Sequence, residues 1–212
     1  MINSKKLTKI WQQVPPDYYQ KGINTNIFQR FWHNQKLATF TQLVGNKKYK
    51  TILDVGCAGG YMTNEITKIL PESKIVGIDA YPTAIAYGKK QYPRIKFTVA
   101  DAHKLPFPRN SFDLVICYET IEHLVNPLKA LREIKRVLAK EGIAIVVMDS
   151  GILLFRVVWW FWEKTKGKIW QGAHLHPFHH KELEKTILRA GLKITKKHFS
   201  HFGMEVSFVL KK

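Results

Sequence analysis

Leu53-Asp54-Val55-Gly56-Cys57-Ala58-Gly59-Gly60 is the stretch on which the fold turns. It continues the short apolar run Thr51-Ile52-Leu53-Asp54-Val55, so it reads as a buried strand that ends in a glycine turn. Such a turn lets backbone approach a ligand that any Cβ would exclude. In open α/β sheets, ligands sit at the carboxyl ends of the strands, where this turn lies. The spacing is neither the G-x-G-x-x-G of dinucleotide-binding folds nor the Lys-Ser/Thr ending of a phosphate loop. Asp54, just ahead of the glycines, suits a cationic, amine-bearing ligand better than a pyrophosphate.

Outward from this stretch the chain alternates regularly. Tyr61 to Leu70 reads as a helix stopped by Pro71, residues 74–78 as a second strand, and Pro82 to Tyr92 as a helix with Pro at its tolerated first position. Ile95 to Ala100 and Phe112 to Cys117 read as the third and fourth strands. Between Pro127 and Ala139 the apolar residues Leu128, Leu131, Ile134, Val137 and Leu138 follow a 3–4 spacing, which predicts a helix with one buried stripe. Gly142 is expected to close that helix ahead of a fifth strand, Ile143 to Met148. A last helix, Lys181 to Ala190, precedes two strands, Leu192 to Phe199 and Met204 to Leu210. Their short turn at Gly203 predicts antiparallel pairing. Residues 7–45 read as helical pieces broken at Pro15-Pro16 and Gly22. Strands separated by helices of about ten residues imply parallel crossover units with helices on both faces.

Two further carboxylates follow at strand ends. Asp79 ends Gly77-Ile78-Asp79 twenty residues after Gly59, the offset at which an acidic residue takes ribose hydroxyls in nucleotide-binding folds. Asp101, in Ala100-Asp101-Ala102, ends the third strand where an adenine edge would be read. A lone strand-end carboxylate is most often a cap or a solvated residue. Three at successive strand ends behind a glycine turn point to a nucleoside-bearing cofactor.

These residues resemble the class I S-adenosylmethionine (SAM)-dependent methyltransferases, in particular the methyltransferase type 11 group typified by ubiquinone and menaquinone biosynthesis. The glycine loop, Gly77-Ile78-Asp79, Ala100-Asp101-Ala102 with Leu105-Pro106-Phe107, Phe112-Asp113-Leu114-Val115, Glu122-His123-Leu124 and Leu131-Arg132-Glu133 fall in family order over residues 50–150. The resemblance implies a Rossmann-like α/β fold, a seven-stranded, mostly parallel sheet with helices on both faces and a C-terminal antiparallel hairpin. It places Asp54, Gly56 and Gly59 around the methionine part of SAM, Asp79 on the ribose, Asp101 with Ala102 on the adenine, and Tyr118 by the sulphonium. Cys57 and Ala80, their neighbours, complete the expected cofactor set. Ala58 departs from the family, which usually has a third glycine there; altered packing is expected, with binding kept.

At 212 residues the chain suits one domain. We expect a helical N-terminal cap over 1–50, a SAM-binding core over 51–150, an apolar and basic insertion or lid over 151–180, and a final helix and hairpin over 181–212. The net charge of +18 is unevenly spread. Residues 1–50 and 151–212 each carry a net +8, the middle only +2, and all six tryptophans lie in the two ends. Two basic, Trp-bearing ends imply solubility or contact with an anionic partner. Two cysteines argue against a disulfide scaffold, and the N-terminus lacks a signal-peptide apolar stretch, so a cytoplasmic location is expected.

Methyl transfer displaces a group that is already activated, so positioning supplies much of the acceleration. Glu122 and His123 are the candidate acceptor-orienting residues. If Glu119-x-x-Glu122-His123 were helical, all three would share a face. No metal is expected; if there is one, Glu119, Glu122 and His123 are its ligands, with a shell completed by His174, His176, His179 or His180. That pattern also resembles metal-assisted RNA 2′-O-methyltransferases, which is the first alternative; a SAM-binding module without catalysis is the second. Residues 151–162 are apolar nearly all round but too short to span a bilayer. They read as a lid, a dimer contact or a helix lying in an anionic membrane interface. A Trp-lined cover favours a small-molecule or lipid-like acceptor, with nucleic acid less favoured.

Overall fold

The computed structural model describes residues 14–165, 168 and 179–212. Two of the six tryptophans, Trp11 and Trp170, the candidate metal-shell residues His174 and His176, and the parts of the expected cap and lid at 1–13, 166–167 and 169–178 lie outside the described residues.

Two helices come first, α1 (Tyr18–Thr25) and α2 (Ile27–Val44). The break between them falls at Asn26, and Gly22 lies inside α1. The Asn26 side chain accepts from the backbone amides of Phe28 and Gln29 at 2.9 and 3.3 Å, which starts a new helix there. The alternation then runs β1 (Thr51–Val55), α3 (Tyr61–Ile69), β2 (Lys74–Asp79), α4 (Pro82–Gln91), β3 (Lys96–Val99) and β4 (Phe112–Tyr118). After a 3₁₀ turn at Ile121–His123 come α5 (Pro127–Val137), β5 (Leu138–Asp149), α6 (Leu153–Lys164), α7 (His180–Arg189), β6 (Lys193–Ser200) and β7 (Glu205–Lys211).

The seven strands form one sheet in the order β3-β2-β1-β4-β5-β7-β6. The first five pair in parallel, and β7 pairs antiparallel with both β5 and β6. Strand alternation sends Leu53, Val115 and Val146 into a core under α5 and α7, built on Leu131, Ile134 and Phe208. Ile52, Ile116 and Ile145 point the other way, onto Phe40, Val44 and Ile66 of α2 and α3.

Gly142 is not a helix stop. Helix α5 ends at Val137, and β5 begins at once, with Leu138 opposite Phe112 and a register shift between Phe112 and Leu114. A Cβ on Gly142 would fall 2.8 Å from the Asp113 carbonyl oxygen, so the glycine admits the neighbouring strand.

The order of strands reverses between β1 and β4, so crossovers leave a crevice at their carboxyl ends. A cavity of about 280 Å³ opens there.

Candidate active site

The cavity gathers residues from the ends of β1, β2, β3 and β4 and from α1 and α2. Asp54, Gly56, Cys57, Gly59, Asp79, Ala80, Asp101, Ala102, Tyr118 and His123 all line it, as do Glu119 and Ala58. The sequence-derived cofactor residues therefore meet at one place.

The glycine turn is fixed by backbone. The amides of Gly56 and Cys57 both donate to the Ile78 carbonyl, at 2.8 and 2.9 Å. Gly56, Ala58 and Gly60 have φ of 81°, 46° and 82°, a left-handed region that glycine tolerates and alanine resists. A Cβ on Gly56 would strike the Thr120 side chain, and one on Gly59 the carbonyl oxygen of Pro16. Glycine here is thus required by close approach on both sides.

Each carboxylate has its own environment. Asp54 is buried and accepts from Thr63 Oγ1 at 2.6 Å. Burial pushes its carboxyl up to about 7, against the opposing pull of that hydrogen bond. Such a group gains from a cation placed in the cavity. Asp79 has both oxygens held, Oδ1 by the Tyr81 amide at 2.8 Å and Oδ2 by the Ala58 amide at 2.9 Å. Burial raises its pKa, and these backbone hydrogen bonds work against that rise. Asp101 is largely exposed; its Oδ1 accepts from the His103 amide at 2.8 Å and from His103 Nδ1 at 2.6 Å. His103 Nε2 accepts from the Asn126 amide at 3.1 Å, which fixes the Nδ1–H tautomer and clamps the loop after β3. Burial raises the Asp101 carboxyl, but the His103 bonds prevail and lower it.

Cys57 is buried, and burial pushes its thiol well above its usual value, so it is a wall residue and no nucleophile. The Tyr118 hydroxyl is buried without a hydrogen-bond partner, and burial raises its pKa steeply.

The Glu119-x-x-Glu122-His123 segment does not form one helical face. Glu119 precedes the 3₁₀ turn with φ 43°, and its Oε2 lies 2.5 Å from Lys36 Nζ. Burial would raise the Glu119 carboxyl, yet Lys36 holds it down at about 2. Glu122 is buried with both oxygens unpartnered, and burial pushes it up to about 8. No three His, Cys, Asp or Glu side chains gather as a metal site among the described residues. His179 Nδ1 instead accepts from the Lys181 amide at the start of α7, and its ring lies against His180.

Tyr19, His33, Lys36 and Thr120 are among the cavity residues that the sequence did not single out. His33 stands edge-on to Tyr19 and Tyr61, and burial lowers its pKa to about 4, so the imidazole is neutral near pH 7. The signal was the spacing His33, Lys36, Phe40, Val44, a 3–4 stripe in which two polar residues hold inward positions.

Residues 53–146 match the protein family described as "Methyltransferase domain". A demethylmenaquinone methyltransferase from Chlorobaculum parvum is 32% identical over 151 residues, covering 69% of this chain and 62% of that protein. An uncharacterized methyltransferase from Schizosaccharomyces pombe is 30% identical over 148 residues, covering 64% and 53%. The chain spans about half the length of the first curated relatives it matches, 53% and 51%. Among solved structures, a Pyrococcus horikoshii protein superposes with a TM-score of 0.74 at 18% identity, covering 95% of this chain and 97% of that one. A SAM-dependent methyltransferase from Thermotoga maritima gives 0.72 at 22% identity, covering 97% and 99%. At these identities the structural likeness speaks for the fold.

Proposed function

We propose, from the premise that the chain belongs to the class I SAM-dependent methyltransferases of the type 11 group, that it transfers a methyl group from SAM to a small-molecule or lipid-like acceptor. The observation that carries this reading is the convergence of Asp54, Asp79 and Asp101 around the glycine turn in one cavity.

These residues fit the cofactor. The turn forms a cradle that a Cβ at Gly56 or Gly59 would fill, and buried Asp54 is paired with Thr63 and with no cation among the described residues. Asp54 would face the methionine amine, Asp79 the ribose hydroxyls, and Asp101 with Ala102 the adenine, with Cys57 and Ala80 closing the wall. When bound, SAM would supply an activated methyl group, which a positioned nucleophile takes at carbon while the neutral thioether leaves. The chain's part is positioning and exclusion of water. Backbone amides fix both Asp79 oxygens before any ligand arrives, so little reorganisation is needed on binding. Tyr118, Glu119, Thr120 and His123 line the same cavity and would border the acceptor.

Apolar Tyr19, Met62, Leu124 and Val125 share the lining, which supports an acceptor with an apolar body. The described parts of 1–50 and 151–180 then act as the cover of a SAM-binding core over 51–150. No described helix is long and apolar enough to cross a membrane. The strongly basic ends support a cytoplasmic enzyme that meets its acceptor at an anionic membrane surface.

Calorimetric titration of the purified chain with SAM, beside Asp79→Asn and Asp79→Ala, tests this. Saturable binding that weakens at least tenfold in both variants supports it. Absence of SAM binding to the folded wild type would overturn it.

A further inference from the structure

Three elements that pack together expose apolar residues beside the cavity's N-terminal wall, where Pro15 lines both the cavity and a groove bordered by α6. Helix α6 places Leu153, Val157, Trp160, Phe161 and Lys164 on one stripe at i, i+4, i+7, i+8 and i+11, all exposed. Its opposite stripe, Phe155, Trp159 and Trp162, is half-buried. Trp162 lines a groove together with Gly22, Asn26 and Gln29, so α6 lies against the α1–α2 junction. At that junction Phe28 is 76% exposed. The third element is the β6–β7 turn. Its His201 ring stacks 4.0 Å from Trp32 of α2, and His201 Nε2 donates to the Trp32 carbonyl at 2.9 Å. Gly203 packs toward Ile152, just before α6.

Phe202, at the tip of that turn, is 80% exposed and held at φ 58°. An aromatic residue in the left-handed region is strained, and it gains no packing in return. Folding pressure alone would place Asn or Gly there.

The charge beside these apolar groups selects the partner. Arg30, Arg156, Lys164 and Lys168 are exposed on or beside the same elements, and Lys164 Nζ sits 3.6 Å over the Trp160 ring. Helix α2 has no acidic residue, and α6 has only Glu163. A second copy of the chain would bring +18 against +18. Nucleic acid matches the charge but not the aliphatic Leu153 and Val157, which offer no stacking surface. An anionic lipid surface matches both.

We infer that the exposed stripe of α6, with Phe28 and Phe202, is a face that inserts into anionic bilayers and sets the cavity mouth against the lipid. The purpose of this face rests on the lipid-like acceptor proposed above; its physical argument does not. Acceptors with apolar tails would then reach the cavity laterally from the membrane.

The test is co-sedimentation of the full chain with vesicles of phosphatidylglycerol and phosphatidylcholine, and with phosphatidylcholine alone, at low and high salt. SAM calorimetry runs on the same preparations. The expected result is binding to the anionic vesicles with a blue shift of tryptophan emission, little binding to the neutral ones, and weakening with salt. Phe202→Asn, which suits the left-handed backbone, is expected to lower partitioning about tenfold with SAM affinity unchanged. Phe161→Ser, on a separate element, is expected to act in the same direction and covers the case in which Phe202→Asn fails to fold. Wild-type protein that binds SAM but ignores anionic vesicles would overturn the inference and leave the methyltransferase reading standing. So would vesicle binding indifferent to both substitutions, or a vesicle-free dimer that shifts the same tryptophan emission. Loss of SAM binding with vesicle binding kept would sink the catalytic reading alone.

Discussion

Lys36 Nζ lies 2.5 Å from Glu119 Oε2 and 4.0 Å from Glu205 Oε2, so a single buried ammonium ties α2 to the end of β4 and to the start of β7. Burial would lower its pKa, but the two carboxylates outweigh burial and raise it. The tie locks α2 onto the β4 side of the cavity. Replacing Lys36 by Met leaves Glu119 and Glu205 without their cation. Breaking such a pair typically costs 3–5 kcal/mol, and partial exposure of Glu119 favours the lower end, about 3 kcal/mol. Urea unfolding of Lys36→Met and of Lys36→Met with Glu119→Gln checks this; the double variant should recover part of the loss. The pair also sets an acid limit. Glu119 is held at about 2 when folded, against 4.5 ordinarily, so its contribution is complete above pH 4.5 and is lost as pH falls toward 2.

Glu122 works in the opposite direction. Its folded pKa is pushed up to about 8 by burial, so between pH 4.5 and 8 the folded chain holds a proton that the unfolded chain releases. Stability contributed by this site therefore falls as pH rises through that window. Glu122→Gln keeps the shape and removes the titration. Its stability relative to wild type should grow between pH 5 and pH 8, by roughly 2–4 kcal/mol as an order of magnitude. Parallel thermal melts across that range check it; a constant offset between the two proteins would contradict the assigned protonation.

The glycine-turn half of the cavity was legible because its residues sit in local patterns. Gly56 to Gly60, Asp79 and Asp101 each end a strand whose apolar run is visible in sequence, and parallel pairing brings such ends together. The α2 side of the cavity was not legible. His33 and Lys36 belong to a helix with no motif, and Glu205 comes near Lys36 only because β7 returns antiparallel beside β5. Glu119 to His123 misled because i, i+3, i+4 spacing assumes helix, whereas Glu119 takes φ 43° ahead of a three-residue turn. Gly142 misled for a related reason: a glycine after a helical stripe reads as a stop, while the register with β4 needs it inside a strand.

Gly59→Ala probes how the N-terminal segment closes the cofactor turn. The new Cβ would meet the Pro16 carbonyl oxygen, which is backbone and has no rotamer to move aside. Either the turn or the segment must shift. We expect faster limited proteolysis near residues 14–17 and at least tenfold weaker SAM binding, with the melting temperature lowered by a few degrees. Proteolysis and affinity both equal to wild type would mean that Pro16 does not close on the turn in solution.

Ala58 is the position where the family resemblance leads one to expect glycine, and its φ of 46° explains that expectation. Its amide donates to Asp79 Oδ2, so the strained backbone directs a donor at a carboxylate that lines the cavity. A left-handed alanine costs about 1–2 kcal/mol, which Ala58→Gly would relieve. Glycine also loses more freedom on folding, about 0.4–1 kcal/mol, which offsets much of the relief. Ala58→Gly should therefore change stability by no more than about 1 kcal/mol and leave SAM affinity within about twofold. Ala58→Val puts a β-branched side chain into the same conformation, and a strain of about 1–3 kcal/mol beyond alanine should appear as lower stability and weaker SAM binding together. The two losses are linked because the amide that carries the strain is the one that holds Asp79. Calorimetry and melting of the Gly, Ala and Val series separate the two effects: valine that weakens stability while leaving affinity intact would show that the Ala58–Asp79 hydrogen bond does not prepare the site for the cofactor.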